Sequence, residues 1–466
     1  MFTTVFSAAV YGLQAYLVRV EVDLAGGLPS FQLVGSLGSE VKESRERVSV
    51  AMKNSGFQIP PAHITVNLAP AGRRKDGTAF DLPVAVGLLR DMELVPEEAL
   101  QDTLFLGELG LNGEIKKVKG VLPIVQEAAK SGIRRVVVPG ENAMEAAVIP
   151  GITVWGVNCL NDLLAALNHP ELETEKVYQP RIRAEDLLRE GTGQDTGDFR
   201  EVAGQENAKR GAEIAAAGFH NLLMIGPPGV LPPLTLKESL EVTGIFSVAG
   251  LLPPGQALIT RRPFYAPHHT VTQAALIGGG SGIPRPGMVS LAHRGVLFLD
   301  ELPEFRKNVL DGMRQPMEER KVQIARSAGM VTYPSDFILV AAMNPCPCGY
   351  YPDRNKCRCT QPQIEKYLGK ISGPILDRID LCVELHPVDI LHLQKTKTEK
   401  SSEDMKRQIR HARERQAERF AGTDCRFNGD IRSAQVEEYC PLGEEGQKVM
   451  EQLYRTLQLS ARVYHR

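Results

Sequence analysis

Three apolar segments of this 466-residue chain end in groups that handle phosphate and metal. Asn221-Leu222-Leu223-Met224-Ile225 runs into Gly226-Pro227-Pro228-Gly229, and a glycine loop can offer main-chain N–H groups to phosphates. Gly295-Val296-Leu297-Phe298-Leu299 ends in Asp300-Glu301. An aspartate there can hold Mg²⁺, directly or through water, and the next glutamate can orient and deprotonate an attacking water. Phe337 to Met343 ends in Asn344, an amide able to fix that water or sense a γ-phosphate. A fourth group is Cys346, Cys348, Cys357 and Cys359. Four thiolates can complete a tetrahedral Zn²⁺ site, though C-x-C is tighter than the usual C-x₂-C; reduced free thiols in a loop are the other reading.

The elements that must position these groups are legible as pattern. Strands that are apolar throughout suit a parallel sheet covered on both faces, with ligands at the carboxyl ends of the strands. Three incidental polar ends would explain no ordering, so the set points to P-loop ATPase ancestry. In the first 168 residues, Tyr16 to Val22 alternates with period two, and His63–Leu68 and Arg135–Pro139 are strand-like. Residues 44–55 and 81–89 are helix-like. Residues 169–198 are polar, contain two prolines and several Gly, Asp and Thr residues, and show little periodicity, so they are expected to link. From about residue 402 the chain is helical and charged.

Composition bounds the alternatives. Hydrophobic content is 43% and charged content 24%, ordinary for a globular chain able to bury more than one core. The net charge of −2 exerts no global pull toward nucleic acid or membrane, so any DNA contact must be a local basic face. The N-terminus lacks a basic region ahead of its apolar stretch, and no apolar run approaches the ~20 residues that span a bilayer. The expected location is cytoplasmic. Eight cysteines without a signal peptide argue against a disulfide framework.

The long phrases VKESRERV, KDGTAFDLPVAVGLL, GQENAKRGAEIAAAG, HNLLMIGPPG, RPFYAPHHTVTQAALIGGG, LAHRGVLFLDELPEF, NPCPCGYY and SGPILDRIDL carry a resemblance. The chain resembles, nearly end to end, the YifB/ComM family of magnesium-chelatase-like AAA+ ATPases. The resemblance implies an α/β fold in four parts. These are a ribosomal-S5/Lon-protease-like domain (1–168), a linker (169–198), an AAA+ core (199–395) and a helical lid (396–466). The family continues the last helix beyond residue 466, so the lid reads as truncated. Asp300 and Glu301 take the Walker B positions and Asn344 sensor 1. Arg378 matches a trans arginine finger and Arg462 is a candidate sensor 2. Read from the residues alone, Arg378 would instead form a salt bridge with Asp377 or Asp380. A hexameric ring, ATP, Mg²⁺ and DNA are the implied partners, with branch migration as the activity. A non-hydrolysing scaffold and a metal-chelatase motor subunit are the alternatives; chelatase motors lack the Lon-like domain.

Two departures matter. The phosphate loop G-x-x-x-x-G-K-[ST] stops after Gly229, which joins Val230-Leu231-Pro232-Pro233 almost directly. The closing glycine, the lysine, the hydroxyl residue and about one helix of ten to twelve residues are missing relative to the family. Hydrolysis is therefore expected to be very poor. In the N-terminal part, Ala79 falls where Lon peptidases carry serine and Ile124 near their lysine. Thr78 is one position off, so peptidase activity is not expected. His268-His269 is not read as a metal site, since adjacent histidines on a strand point apart and no carboxylate follows at useful spacing; the resemblance implies a pore or DNA-contacting loop there.

Overall fold

The computed structural model describes residues 2–169, 173–190, 198–202, 204–223, 231–280, 282–326, 329–385, 400–457 and 464. The segments read as strands, Tyr16 to Val22, His63–Leu68 and Arg135–Pro139, lie in one seven-stranded sheet with four strands that the sequence reading did not name. Its strands are β1 (Phe2–Tyr11), β2 (Gln14–Ala25), β3 (Ser30–Val34), β4 (His63–Ala69), β5 (Thr103–Phe105), β8 (Arg135–Pro139) and β9 (Thr153–Val157). The short pair β6 (Glu108–Leu109) and β7 (Ile115–Lys116) lies apart from it. The order is β3-β4-β2-β1-β5-β8-β9; β1–β2 and β2–β4 are antiparallel and the other pairs parallel.

Alternation sorts the side chains between two cores, as the pleat requires. Val137 joins Val18, Val20 and Val22 in one cluster, while Val136 and Val138 join Leu104, Ile124 and Val125 in the other. The helices Ser44–Asn54 and Asp81–Asp91 cover the first face and Val121–Lys130 covers the second. Gly87 lets the 81–91 helix approach the sheet: a Cβ there would stand 2.5 Å from Val22 Cγ2. A largely buried ion pair lies within the first face. Asp81, fully buried, accepts from Arg47 Nε at 2.7 Å and Nη2 at 3.0 Å, and from the Leu109 N–H at 3.2 Å. Burial pushes the Asp81 carboxyl up, and the Arg47 guanidinium works against that rise.

The stretch read as a plain linker is more ordered. Its described residues include the short helices Glu173–Lys176 and Ala184–Glu190. Val177 is buried in the first core, and Ala184 packs with Leu122, Val148 and Leu258. Isolated buried apolar residues carry no periodicity, so the sequence pattern did not show them.

The second sheet has β11 (Phe264–Tyr265), β14 (Val296–Leu299), β17 (Ile338–Ala341), β10 (Leu222–Leu223) and β18 (Leu381–Cys382) in that order, every pairing parallel. Two antiparallel pairs flank it, β12 (Gly278–Gly279) with β13 (Arg285–Pro286) and β15 (Lys321–Arg326) with β16 (Gly329–Pro334). The architecture is mixed α/β, as the sequence pattern predicts.

The two sheets are tied together. The β15–β16 hairpin packs its Val331 against the β1–β2 turn, where a Cβ at Gly12 (φ +65) would lie 2.6 Å from Val331 Cγ1. The helix Leu236–Ala249 docks on the first domain: Gly120 N–H donates to Ser247 O at 3.0 Å and Lys117 Nζ to Leu252 O at 2.9 Å.

A charged network holds the C-terminal part to the second sheet. Glu241 accepts from Arg294 Nη2 at 2.8 Å and faces His293 Nε2 at 3.3 Å. Asp336 accepts from Arg294 and from Arg426 Nη2 at 2.8 Å, and Arg320 pairs with Asp430. The hydrogen bond from His293 and the Arg294 guanidinium hold the Glu241 carboxyl down at about 2, against burial. A depressed carboxyl stabilises above its ordinary value of 4.5 and loses that contribution as pH falls toward about 2. Glu241→Gln is expected to lower stability at neutral pH by up to about 3 kcal/mol, with the gap to the parent closing between those two pH values. Parallel denaturation curves down the pH series read this directly; a gap that stays constant would remove Glu241 as the cause.

Candidate nucleotide site and cysteine cluster

The polar ends meet at one edge because β14 and β17 are neighbours in register. Leu299 pairs with Ala341, Ala342 N–H donates to Leu299 O at 2.9 Å, and Leu302 N–H donates to Ala342 O at 2.9 Å. Asp300 leaves β14 exposed, and its Oδ1 accepts the Glu301 N–H at 2.9 Å. Glu301 sits at φ +52, a left-handed conformation unusual for a side chain with a Cβ, which turns it away from the strand direction. Asn344, exposed, follows β17, and its main-chain N–H bonds to the Tyr367 hydroxyl. β10 pairs β17 through Leu223 and Ala341, so the chain leaves this same edge toward Gly226, Pro227, Pro228 and Gly229. Those four residues, and Arg462, lie outside the described residues.

Beyond the glycine loop Arg262, Glu238 and Thr235 are engaged with one another and with the main chain. Arg262 Nε donates to Pro232 O at 2.5 Å, its Nη2 to Pro233 O at 3.2 Å, and it pairs with Glu238 at 3.0 Å. The next helix begins at Leu236 with a capping box: Glu238 N–H donates to Thr235 Oγ1 at 3.3 Å, and Thr235 N–H to Glu238 Oε2 at 3.1 Å. Two of its N-terminal donors, the Thr235 and Glu238 N–H groups, are thus engaged by its own side chains.

Sequence reading missed a partner of the acidic pair. His269 Nδ1 lies 3.3 Å from Glu301 Oε2, and the His268 and His269 rings are 4.0 Å apart. The expectation that these rings point apart with no useful carboxylate is corrected: β11 abuts β14, so the carboxylate arrives from across the sheet rather than along the chain. Lys370 Nζ bonds both oxygens of Glu304, at 2.9 and 3.0 Å, just beyond the pair.

Arg378 is only 6% exposed and faces inward, bonded to the Glu318 carboxylate and to Pro374 O. The expected local salt bridge to Asp377 or Asp380 does not describe it. Asp380 instead accepts the Asn221 N–H at 2.8 Å. In the first domain Ala79 and Ile124 share one apolar cluster, Thr78 donates to Glu108, and buried Lys75 donates to Pro70 O. The positions where the Lon-like resemblance places serine and lysine are thus packed with hydrocarbon.

The four cysteines converge. Cys346 Sγ lies 3.3 Å from Cys348 Sγ and 3.8 Å from Cys357 Sγ, Cys348 to Cys357 is 3.7 Å, and all four sulfurs lie within 4.8 Å of one another. A tetrahedral ion with metal–sulfur bonds of ~2.3 Å needs sulfurs about 3.8 Å apart. No disulfide joins them. Burial raises the Cys346 thiol, but the Tyr351 N–H and the neighbouring sulfurs outweigh it and bring it down to about 6. Cys346, Cys357 and Ile364 form a small core. The helix Gln361–Leu368 that carries Ile364 also carries Tyr367, so the cluster buttresses the strand end at Asn344.

A parallel five-stranded sheet whose adjacent strand ends carry an acid pair and an amide defines a P-loop-type α/β core. The comparisons agree. The family described as magnesium chelatase, subunit ChlI matches residues 198–393, the subunit ChlI of Mg-chelatase matches 20–142, and the subunit ChlI C-terminal matches 399–466. Competence protein ComM of Haemophilus influenzae is 39% identical over 483 residues, 99% of this chain and 91% of that protein. The YifB protein of Escherichia coli is 39% identical over 477 residues, 99% of this chain and 90% of its own length. An uncharacterized Mycobacterium tuberculosis protein is 42% identical over 438 residues, 91% of this chain and 85% of its own length. The chain belongs to the YifB/ComM family of magnesium-chelatase-like proteins. Among the described residues no helix is long and apolar enough to cross a membrane.

Proposed function

We propose that this chain is a cytoplasmic, ring-forming member of the DNA-remodelling AAA+ class whose ATP hydrolysis is impaired. The observation that carries this reading is the shared sheet edge of Asp300-Glu301 and Asn344. Its division into a Lon-like part (1–168), a connecting segment (169–198), a nucleotide core (199–395) and a lid (396–466) follows the same family. The name of the Haemophilus relative, a competence protein, supports incoming DNA as the partner.

In this reading Asp300 holds Mg²⁺ and Glu301 orients water, with Asn344 beside them. The acidic groups for the metal are present, whereas the lysine that would grip the phosphates and the hydroxyl that would join the metal are not at the phosphate loop. Arg378 as a hexamer's trans finger must first leave Glu318, and Arg462 is kept as sensor 2. Equilibrium binding of a fluorescent ATP analogue tests the site: weak, magnesium-dependent binding that Asp300→Ala removes is expected. Binding indifferent to both would overturn it and favour a silent scaffold, the second reading, which the missing lysine supports.

The cysteine cluster fits Zn²⁺ by donor type and sulfur spacing. Zinc here would staple the loop beyond Asn344. Elemental analysis of chain purified without chelator is expected to find about one zinc per chain, reduced by Cys348→Ser. Metal-free protein in which all eight thiols titrate would refute the site.

A further inference from the structure

The cysteine loop displays more than its sulfurs. Tyr350 projects from it with 55% of its surface exposed, although an aromatic ring of that size ordinarily finds cover. Arg354, Lys356 and Arg358 are all exposed on the same loop, and Asp353 is the one carboxylate among residues 346–359. Asp353 reaches Lys356 only at 4.0 Å, and Arg358 has no ion-pair partner among the described residues. Arg354 has a different job. Its guanidinium donates to Cys359 O at 3.3 Å and lies 5.0 Å over the Tyr351 ring, which holds the second C-x-C pair against the first.

In a chain of net charge −2 this small cationic loop with a bare aromatic face is a local exception. Bases stack on exposed aromatic rings without regard to sequence, and lysine and arginine neutralise the backbone beside them. A duplex would hide its base faces from Tyr350; a single strand offers them. We propose that the four-cysteine loop is a contact for single-stranded nucleic acid, with Tyr350 as the stacking face and Lys356 and Arg358 on the phosphates. The proposal rests on the DNA reading above and specifies one surface for it. A competing explanation is that the basic residues merely offset the negative charge of a metal bound by four thiolates.

The test uses the zinc-replete full chain and a fluorescein-labelled oligodeoxythymidine, followed by anisotropy over a salt series, with metal content measured in parallel. Tyr350→Ala touches neither the sulfurs nor the core, and is expected to weaken binding about five- to a hundredfold with zinc retained. Lys356→Ala with Arg358→Ala is expected to reduce the slope of log affinity on log salt by about 1.4, two phosphates on a single strand. The same-length duplex is expected to be indifferent to Tyr350→Ala. Parent-like affinity and slope in both variants would overturn the loop as the contact and leave the DNA reading standing. A parent chain that binds no oligonucleotide at low salt would overturn both. Zinc lost from the double variant, with unchanged affinity in Tyr350→Ala, would assign the cations to the metal instead.

Discussion

The full chain is expected to turn over ATP at least about 10²–10³-fold more slowly than the same chain given the family's Gly-Lys-Thr helix between Gly229 and Val230. The intact loop supplies a lysine to the β- and γ-phosphates, a hydroxyl to Mg²⁺ and a helix N-terminus aimed at the phosphates. Here the residues in those places are Val230, Leu231, Pro232 and Pro233, and proline has no N–H to donate. Pro232 and Pro233 turn their carbonyls to Arg262, and the helix beyond is capped by Thr235 and Glu238. None of the side chains of Val230, Leu231, Pro232 and Pro233 carries a lysine amine or a hydroxyl. In the restored chain Glu301→Gln is expected to remove the regained activity. Steady-state phosphate release measures all three proteins. Hydrolysis by the unaltered chain at the restored rate would mean that the phosphates are gripped elsewhere.

The second large effect is expected in the first domain. Arg47→Ala should destabilise it by about 3–5 kcal/mol, because it leaves the Asp81 carboxylate buried without its guanidinium. The pH dependence distinguishes this from lost packing. With Arg47 gone, burial acts unopposed and the folded-state value of Asp81 rises further above its ordinary 3.8. A raised carboxyl contributes stability below its unfolded value and loses it as pH climbs through the folded one. The variant should therefore recover toward the parent as pH is lowered, because Asp81 takes up its proton in the fold before it does so in the unfolded chain. Urea denaturation at pH 4 and pH 7 measures the gap. An equal gap at both values would attribute the loss to packing.

Much of this was legible in residue order. Period-two alternation marked β2, strand-like runs marked β4 and β8, and uniformly apolar segments marked β14 and β17 as interior parallel strands, because burial on one face or two leaves a direct imprint on composition. The acid pair, the asparagine and the cysteines were visible for a similar reason: each sits within a short segment whose type is diagnostic. The interrupted phosphate loop is likewise a statement about the sequence alone.

Only the tertiary structure decided what each of these groups touches. His269 meets Glu301 because β11 abuts β14, and Lys370 meets Glu304 across 66 positions. Arg378 turns to Glu318 rather than to the aspartates beside it, since the fold buries its guanidinium against the 314–319 helix. Arg47 and Asp81, 34 positions apart, became partners only once two helices packed on one face of the sheet. The cysteines show both sides. Their number and spacing were plain in the sequence, but their convergence to within 4.8 Å needed the loop to close over Ile364. Local pattern records how each residue is buried along its own element. Partnership depends on which elements end up adjacent, and that is fixed by packing of the whole chain.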